Sequence, residues 1–592
     1  MKLGFSKRKS TWWQLMLVSI VCNAVLFLII RQIYPPVFTT NDDYRMRLIV
    51  SGAYTGTPSS ELVFMYRWIG VLLSSIYRIS TALNWYGCFI IGTMFFPCCV
   101  MLYHMLERSG RRKVQAFLLY LLIFFLGFQK HLMMPQFTIS AAFMFMAFLI
   151  FEIRLLIAEN RKAKIINFIW MIVSGILSIS IREKVFLMLL PGAFLLLLAH
   201  VFWERKTAEE WKRILCRLAA AAGVLLLLFG TQRLAIGSKD YQDFAEFNVA
   251  RSNVFDYDGV PDYDANQEFY DSIGVDKAAW KALAGRIFGV SDQINAETLK
   301  EIAHYSKQIS DQTILDKLLN AVENAYTELM ANLVRGQFLC VLLLLFLIVR
   351  VNGDVSDKRY SYLMFLIAAY QVTALILFGV LGRIMPRLVE ALDLMADACA
   401  ISILFELFRQ KDSCEEGKWP QKITAIWQVV RYGGLGILAV SMLTYNFLYL
   451  DQDGAYKTLI QSAGCLDSLE QYAKKDEKMY IFYNALDFIG CSDWVFDGED
   501  GRFSQIDSLG NWNSESDTWK QRNELLGGET VMDVLVENPD VYYAEIGGYH
   551  AEIGDLLEQR GKKLEWFDSY QAGSRTVTIY RVTEIDTEDK RK

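Results

Sequence analysis

Residues 62–80, LVFMYRWIGVLLSSIYRIS, decide how this chain is threaded. The run is apolar enough for a membrane helix, yet it holds Arg67 and Arg78. If it crosses a bilayer, the basic segment ERSGRRK (107–113) falls on the outer side. If it lies along the outer surface, ERSGRRK, ENRKAK (159–164), WERKTAEEWKR (203–213), DKR (357–359) and RQK (409–411) all fall inside. Cytoplasmic loops hold the excess of Lys and Arg, so the second arrangement is expected. An interfacial helix also lets both arginines reach headgroups.

Working outward, apolar runs lie near 12–33, 85–106, 116–129, 138–157, 165–181, 185–203, 214–235, 333–350, 361–381, 389–408 and 423–450. With its flanks, each can cross a hydrocarbon core of about 30 Å. The start, MKLGFSKRKS, is basic like a signal peptide, but the apolar core after it is too long and no A-x-A site follows. The expectation is an uncleaved first span and eleven spans in all. The N-terminus is then cytoplasmic and the C-terminus extracytoplasmic, in a multi-pass plasma-membrane protein.

Of the 592 residues, 53% are hydrophobic and 14% aromatic, with a net charge of −5. A mean hydropathy of +0.23 is too high for a soluble chain and too low for one made only of spans. The fold class expected is a polytopic all-α membrane bundle with a small extracytoplasmic α/β domain at the C-terminus. Its parts are a membrane module at 1–235, an outer loop at 236–332, a second membrane module at 333–450 and an outer domain at 451–592. No domain is strongly basic, so nucleic acid is not an expected partner. Ten cysteines are scattered, no Cys/His set has zinc spacing, and the five histidines are dispersed.

Loop 236–332 begins rich in Asp, Tyr and Asn. DYDGVPDYD lacks the Gly and Glu placements of an EF-hand. Its rings and carboxylates suit a carbohydrate surface, and equally a solvated cap. AETLKEIAHYSKQI and DKLLNAVENAYTELMANL follow with helical periodicity. In the tail, KMYIFYN, DVYYAEI and RTVTIYRV read as strands. CLDSLEQYAKK, TVMDVLVEN and HAEIGDLLEQRG read as helices between them. Cys465 and Cys491 both fall outside and could pair.

The first outer loop, 35–84, opens with TTNDDYRMR. Asn41 or Asp42 could cap a helix starting near Asp43, and Asp42 could pair with Arg45 three residues on. The loop is also held to the membrane surface at both ends. Carboxylates at that depth reach a substrate whose tail is in lipid. One could take the proton of an attacking hydroxyl while cations hold a phosphate leaving group.

An acid pair in the first outer loop, then a membrane-lying helix and many spans, resembles the GT-C glycosyltransferases. The run NDDY…SGAYTG.P is also similar to a set of bacterial membrane proteins of no assigned activity. The GT-C resemblance implies a polyprenyl-phosphate sugar donor and an envelope glycan, lipid or protein acceptor at the outer face. It implies that Asp42 or Asp43 is the catalytic base, with Asp42 preferred. A divalent cation is permitted beside such a pair, and a guanidinium cluster can replace it.

Cations recur at three outer turns: Lys130 and His131, then Arg182 and Lys184, then Arg383 and Arg387. With Arg45, the residues Arg182, Lys184, Arg383 and Arg387 are the candidates for donor phosphate. Lys130 and His131 fit snorkelling better. Glu390, Asp393 and Asp397 share one helix face, which must point into the bundle or a wet cavity. Two other classes compete. An envelope polysaccharide polymerase or ligase would draw on cations of the large loop, where Arg251, Arg286 and His304 stand out. A lipid-linked glycan transporter or flippase would centre on a buried acid such as Asp393 or Asp397.

Overall fold

The computed structural model describes residues 12–110, 112–158, 160–203, 208–235, 239–310, 313–334, 359–414, 440, 455–484, 494–496, 503–546 and 553–585. The first spanning helix, α1 (Trp12–Ile33), is apolar on its exposed face and buries only Ser19, Asn23 and Ile30. It therefore lies at the edge of the bundle, with its polar residues turned inward and its apolar ones to lipid. Two short helices follow, α2 (Asn41–Ser51) and α3 (Arg67–Ile79). At 1.5 Å per residue, α3 is about 20 Å long, too short to span. It buries Ile69, Leu73 and Tyr77 and exposes Val71, Leu72 and Ile79, the pattern of a helix lying on an interface.

Next come α4 (Trp85–Arg108), α5 (Lys113–Ile123) and α6 (Gln129–Met133), the last two joined through a π-type turn, Phe124–Phe128. The central element is α7 (Phe137–Ile157), in which every residue from Phe137 to Glu152 is buried. A helix covered all round sits in the middle of its bundle. α8 (Arg161–Ile181), α9 (Glu183–Trp203) and α10 (Ala208–Ala235) complete the first module. The large loop folds into α11 (Lys239–Asn253), a π-type turn Val254–Asp258, α12 (Gln267–Ser272), α13 (Lys277–Ala284) and α14 (Ala296–Ile309). α15 (Ile314–Val334), α16 (Arg359–Val380) and α17 (Pro386–Cys414) come after it.

Among the described residues seven helices are long and apolar enough to cross a membrane. Of the eleven spans expected, 185–203 is the helix α9, and 389–408 lies in α17, where Glu390, Asp393 and Asp397 interrupt the apolar run. Segments 333–350 and 423–450 fall almost wholly outside the described residues. The acid face of α17 does turn inward, with Glu390, Asp393 and Asp397 all buried. Glu390 pairs with Lys130, and Asp393 accepts from Gln371 at 3.0 Å.

The tail is an α/β unit with five strands in the order β2-β1-β3-β5-β4. β1 (Tyr480–Asn484), β2 (Ile506–Leu509) and β3 (Val541–Ile546) run parallel, and β4 (Lys562–Ala572) and β5 (Arg575–Glu584) add an antiparallel hairpin. Strands β1, β3 and β5 fall where the alternation placed them. Cys465 is a free, buried thiol that donates to the Ala572 carbonyl, and Cys491 lies outside the described residues.

The tail and large loop share a core. Ala282, Ile287 and Val290 pack with Trp519, Val531 and Leu556, and Lys281 pairs with Asp555. The tail also holds the first loop. Val37 bridges Trp494, the Val495 amide donates to Pro36 at 3.0 Å, and the Tyr456 hydroxyl donates to Pro35 at 2.7 Å.

Candidate active site

Two anchors set α2. Its helix begins at Asn41 with Thr40 as N-cap, two residues before the start read from sequence, so both acids lie in the first turn. Carboxylates suit that position, where free backbone N–H groups and the helix dipole favour negative charge. Asp43 is wholly buried and faces the bundle. Its Oδ1 accepts from the Tyr86 hydroxyl at 2.8 Å and the Phe137 amide at 3.2 Å, and its Oδ2 from the Thr40 hydroxyl at 2.9 Å. Burial pushes its carboxyl up to about 7, against these three donors.

The second anchor is Arg45, 1% exposed. It does not pair with Asp42. Its Nη2 lies 2.5 Å from Asp507 Oδ1 and donates to the Ser508 hydroxyl at 2.7 Å. The other carboxylate oxygen of Asp507 meets Arg522 Nε at 2.9 Å. Both guanidiniums lie over the Tyr54 ring, at 4.7 and 4.9 Å from its centre. Arg522 further donates to the Tyr54 and Ser504 carbonyls, both at 2.8 Å. Arg45 is therefore removed from the phosphate-binding set, because its charge is spent on β2.

Asp42 is half-buried, and its charged neighbours are of another kind. Burial raises its carboxyl above the ordinary range, while Arg387, Arg182 and Arg251 oppose that rise and Asp256 adds to it. These guanidiniums come from three elements. Arg182 caps α8 at the turn into α9. Its guanidinium lies over Phe64 at 4.9 Å and Phe137 at 5.3 Å. Burial and Arg387 lower it to about 10, opposed by Asp42 and Tyr257. Arg387 is the second residue of α17. Arg251, near the end of α11, is lowered by burial and Arg286, opposed by Asp256 and Asp42. Its Nη2 donates to Asn248 at 2.8 Å.

Arg383 pairs with Asp256 of the π-type turn, and Tyr257 of that turn packs on Gly382. Lys184, one of the predicted cations, is exposed and is not among the charges acting most on Asp42. Its neighbour Glu183 instead accepts from the Tyr66 hydroxyl at 2.8 Å. The structure thus brings Asp42, Arg182 and Arg387 together and leaves out Arg45 and Lys184. It adds Arg251, Asp256 and Tyr257 from the large loop. In the sequence Arg251 stands out only as a loop cation for a polymerase or ligase, and Asp256 and Tyr257 only as part of the aromatic and acidic run DYDGVPDYD.

An aromatic wall backs the cluster. Phe64 stacks on Phe137 at 5.5 Å and meets Trp512 of the tail at 4.8 Å. Three guanidiniums whose charges act on one half-buried carboxylate make a mouth suited to an anion next to a proton acceptor. Among the described residues no group of three His, Cys, Asp or Glu could hold a metal ion. The charges acting most on Asp42 are those of guanidiniums, which do not ligate cations.

No protein-family model matches the chain, and no curated protein does. Two solved structures are similar to it. ArnT from Cupriavidus metallidurans bound to undecaprenyl phosphate has 9% identity and a TM-score of 0.38, covering 95% of this chain and 97% of that one. The apo state of the same protein has 11% identity and a TM-score of 0.38, covering 96% and 98%.

Proposed function

We propose that this chain is a membrane glycosyltransferase working at the outer face, with a polyprenyl-phosphate sugar as donor and an envelope glycan, lipid or protein as acceptor. What supports it is that the charges of Arg387, Arg182 and Arg251 all act on Asp42, with Arg182 seated on Phe137, whose amide donates to the adjacent Asp43. Asp42 is the base. Its carboxylate takes the proton of the acceptor hydroxyl as that oxygen bonds to the anomeric carbon. The bond from that carbon to the phosphate oxygen breaks on the opposite side, with inversion. The phosphate leaves with the electron pair, and Arg182 and Arg387 stabilise its charge. Asp43 holds the helix rather than the substrate, since three donors already occupy its oxygens.

The transporter reading draws on Asp393 and Asp397, which are buried, and no observation favours it over the transferase. The deciding experiment is envelope-glycan mass spectrometry on wild type, a deletion strain, and the deletion rescued with Asp42→Asn. A sugar lost in the deletion and not restored by the variant, at normal membrane levels, supports the assignment and gives the mass of the transferred unit. Full rescue by Asp42→Asn overturns it.

A further inference from the structure

The ion pair between Arg45 and Asp507 joins the first loop to the last domain, and α2 geometry gives it a consequence. Successive residues on an α-helix turn by about 100°. Taking Asp42 as the origin, Asp43 projects about 100° to one side and Arg45 about 60° to the other. Asp42 therefore points out between the two anchors of its own helix. Asp43 fixes α2 to α4 and α7. Arg45 fixes it to β2 of the tail. With either anchor released, the short helix can roll about its axis, and the first group to swing is the carboxylate at the mouth.

The tail side is built to resist that roll. Asp507 holds Arg45 with one oxygen and Arg522 with the other, and Arg522 ties back to the carbonyl of Tyr54, just past α2. Asn513 donates to the Tyr54 hydroxyl at 3.0 Å, and the Ser504 amide to the Ala53 carbonyl at 2.7 Å. Strand β2 thus grips α2 at its middle, and Arg522, Asn513 and Ser504 of the same tail grip the chain beyond its C-terminal end.

Resting on the transferase reading above, we propose that Asp507, acting through Arg45, is a positioning residue for Asp42, so that the C-terminal domain sets the aim of the base. The domain is then part of the catalytic apparatus without touching substrate. A displacement of about 1 Å at a reacting group costs as much as a hundredfold in rate. Binding of phosphate by Arg182 and Arg387 needs neither Asp507 nor Arg45, so rate and donor affinity separate.

The test uses the full chain with Asp507→Asn, Asp507→Glu and Ser508→Ala, each expressed in the deletion strain and purified in detergent. Three quantities are read: glycan product per inserted protein, affinity for farnesyl phosphate as the phosphate probe, and melting temperature. Asp507→Asn should cut product about tenfold to a hundredfold, with farnesyl phosphate affinity unchanged. Asp507→Glu, which keeps the charge, should recover most of the product. Ser508→Ala removes the hydroxyl that accepts from the Arg45 guanidinium but leaves the ion pair with Asp507, and should lower product by a smaller factor at unchanged melting temperature. Normal product from Asp507→Asn, while Asp42→Asn abolishes it, overturns the positioning role and leaves the transferase reading standing. Parallel loss of product and probe affinity overturns it as well, since that marks general disruption. If Asp507→Asn fails to insert, Ser508→Ala decides, and full product from that variant overturns the proposal. Normal product from Asp42→Asn overturns the transferase reading itself.

Discussion

The carboxylate of Asp256 is paired with the guanidinium of Arg383, and Asp256 is also among the charges that act on Asp42. One partner belongs to the π-type turn of the large loop, the other to the link before α17. Their side chains are 30% and 39% exposed, so the pair is worth at most about 1 kcal/mol. A phosphate, with more charge and more acceptors, can displace the carboxylate.

Asp256→Asn should therefore tighten farnesyl phosphate binding by a few-fold. The gain should shrink as salt rises, because the competing charge is partly exposed. Titration at low and high ionic strength checks both. Weaker binding would mean that Asp256 orders the turn more than it competes.

Asp43 predicts a pH dependence of stability. Its folded carboxyl is pushed up to about 7 from an ordinary 3.8. The folded state thus holds this proton more tightly than the unfolded one. Its contribution is fully present below the unfolded value and is lost as pH rises through about 7. Asp43→Asn is a neutral mimic and should lack this loss. Its melting temperature relative to wild type should rise between pH 4.5 and 7.5. Asp43→Ala leaves three buried donors without an acceptor and should cost about 1–3 kcal/mol for each group left unpaired.

Arg387 is the foremost cation opposing the raised carboxyl of Asp42. Removing a positive charge disfavours the carboxylate, so its proton affinity rises. With saturating donor, Arg387→Gln should move the acidic limb of the transfer rate to higher pH. A limb that stays in place would assign that titration to another group.

Gly510, at the end of β2, has φ +75°, and a Cβ there would lie 1.9 Å from the Arg286 carbonyl oxygen. Gly510→Ala has to part the tail from the large loop or strain the turn. A cost of about 1–3 kcal/mol follows for the strained backbone. Limited proteolysis should cut the variant faster than wild type.

Local patterns were readable and distant pairings were not. The amphipathic stripe of α3, the helices α14 and α15 and the strands β1, β3 and β5 follow from residue periodicity alone. β2, IDSL, is short and buried throughout, so it has no alternation to find. In β4 a register shift between Trp566 and Asp568 leaves Phe567 unpaired in the ladder, and Trp566 and Phe567 are exposed in succession, which breaks the period of two. Arg45 is the sharpest case. Its spacing from Asp42 suggested a surface pair on one helix, yet its partner sits on a strand at the other end of the chain. The acid and two of the arginines around it were legible as chemistry at outer turns. Arg251 and Asp256 were legible as loop chemistry but not as neighbours of Asp42, since only tertiary folding relates the large loop to the first one.

The bond from Arg45 to Ser508 closes a separation of 463 residues. At roughly 5–20 residues per second, a ribosome needs about half a minute to a minute and a half to make the chain between them. During that time the nascent protein has α2 but none of the strand that grips it. A chain that stops before β2 lacks the partner of Arg45 and has only the Asp43 anchor for α2. The aim of the base thus waits on translation of that strand.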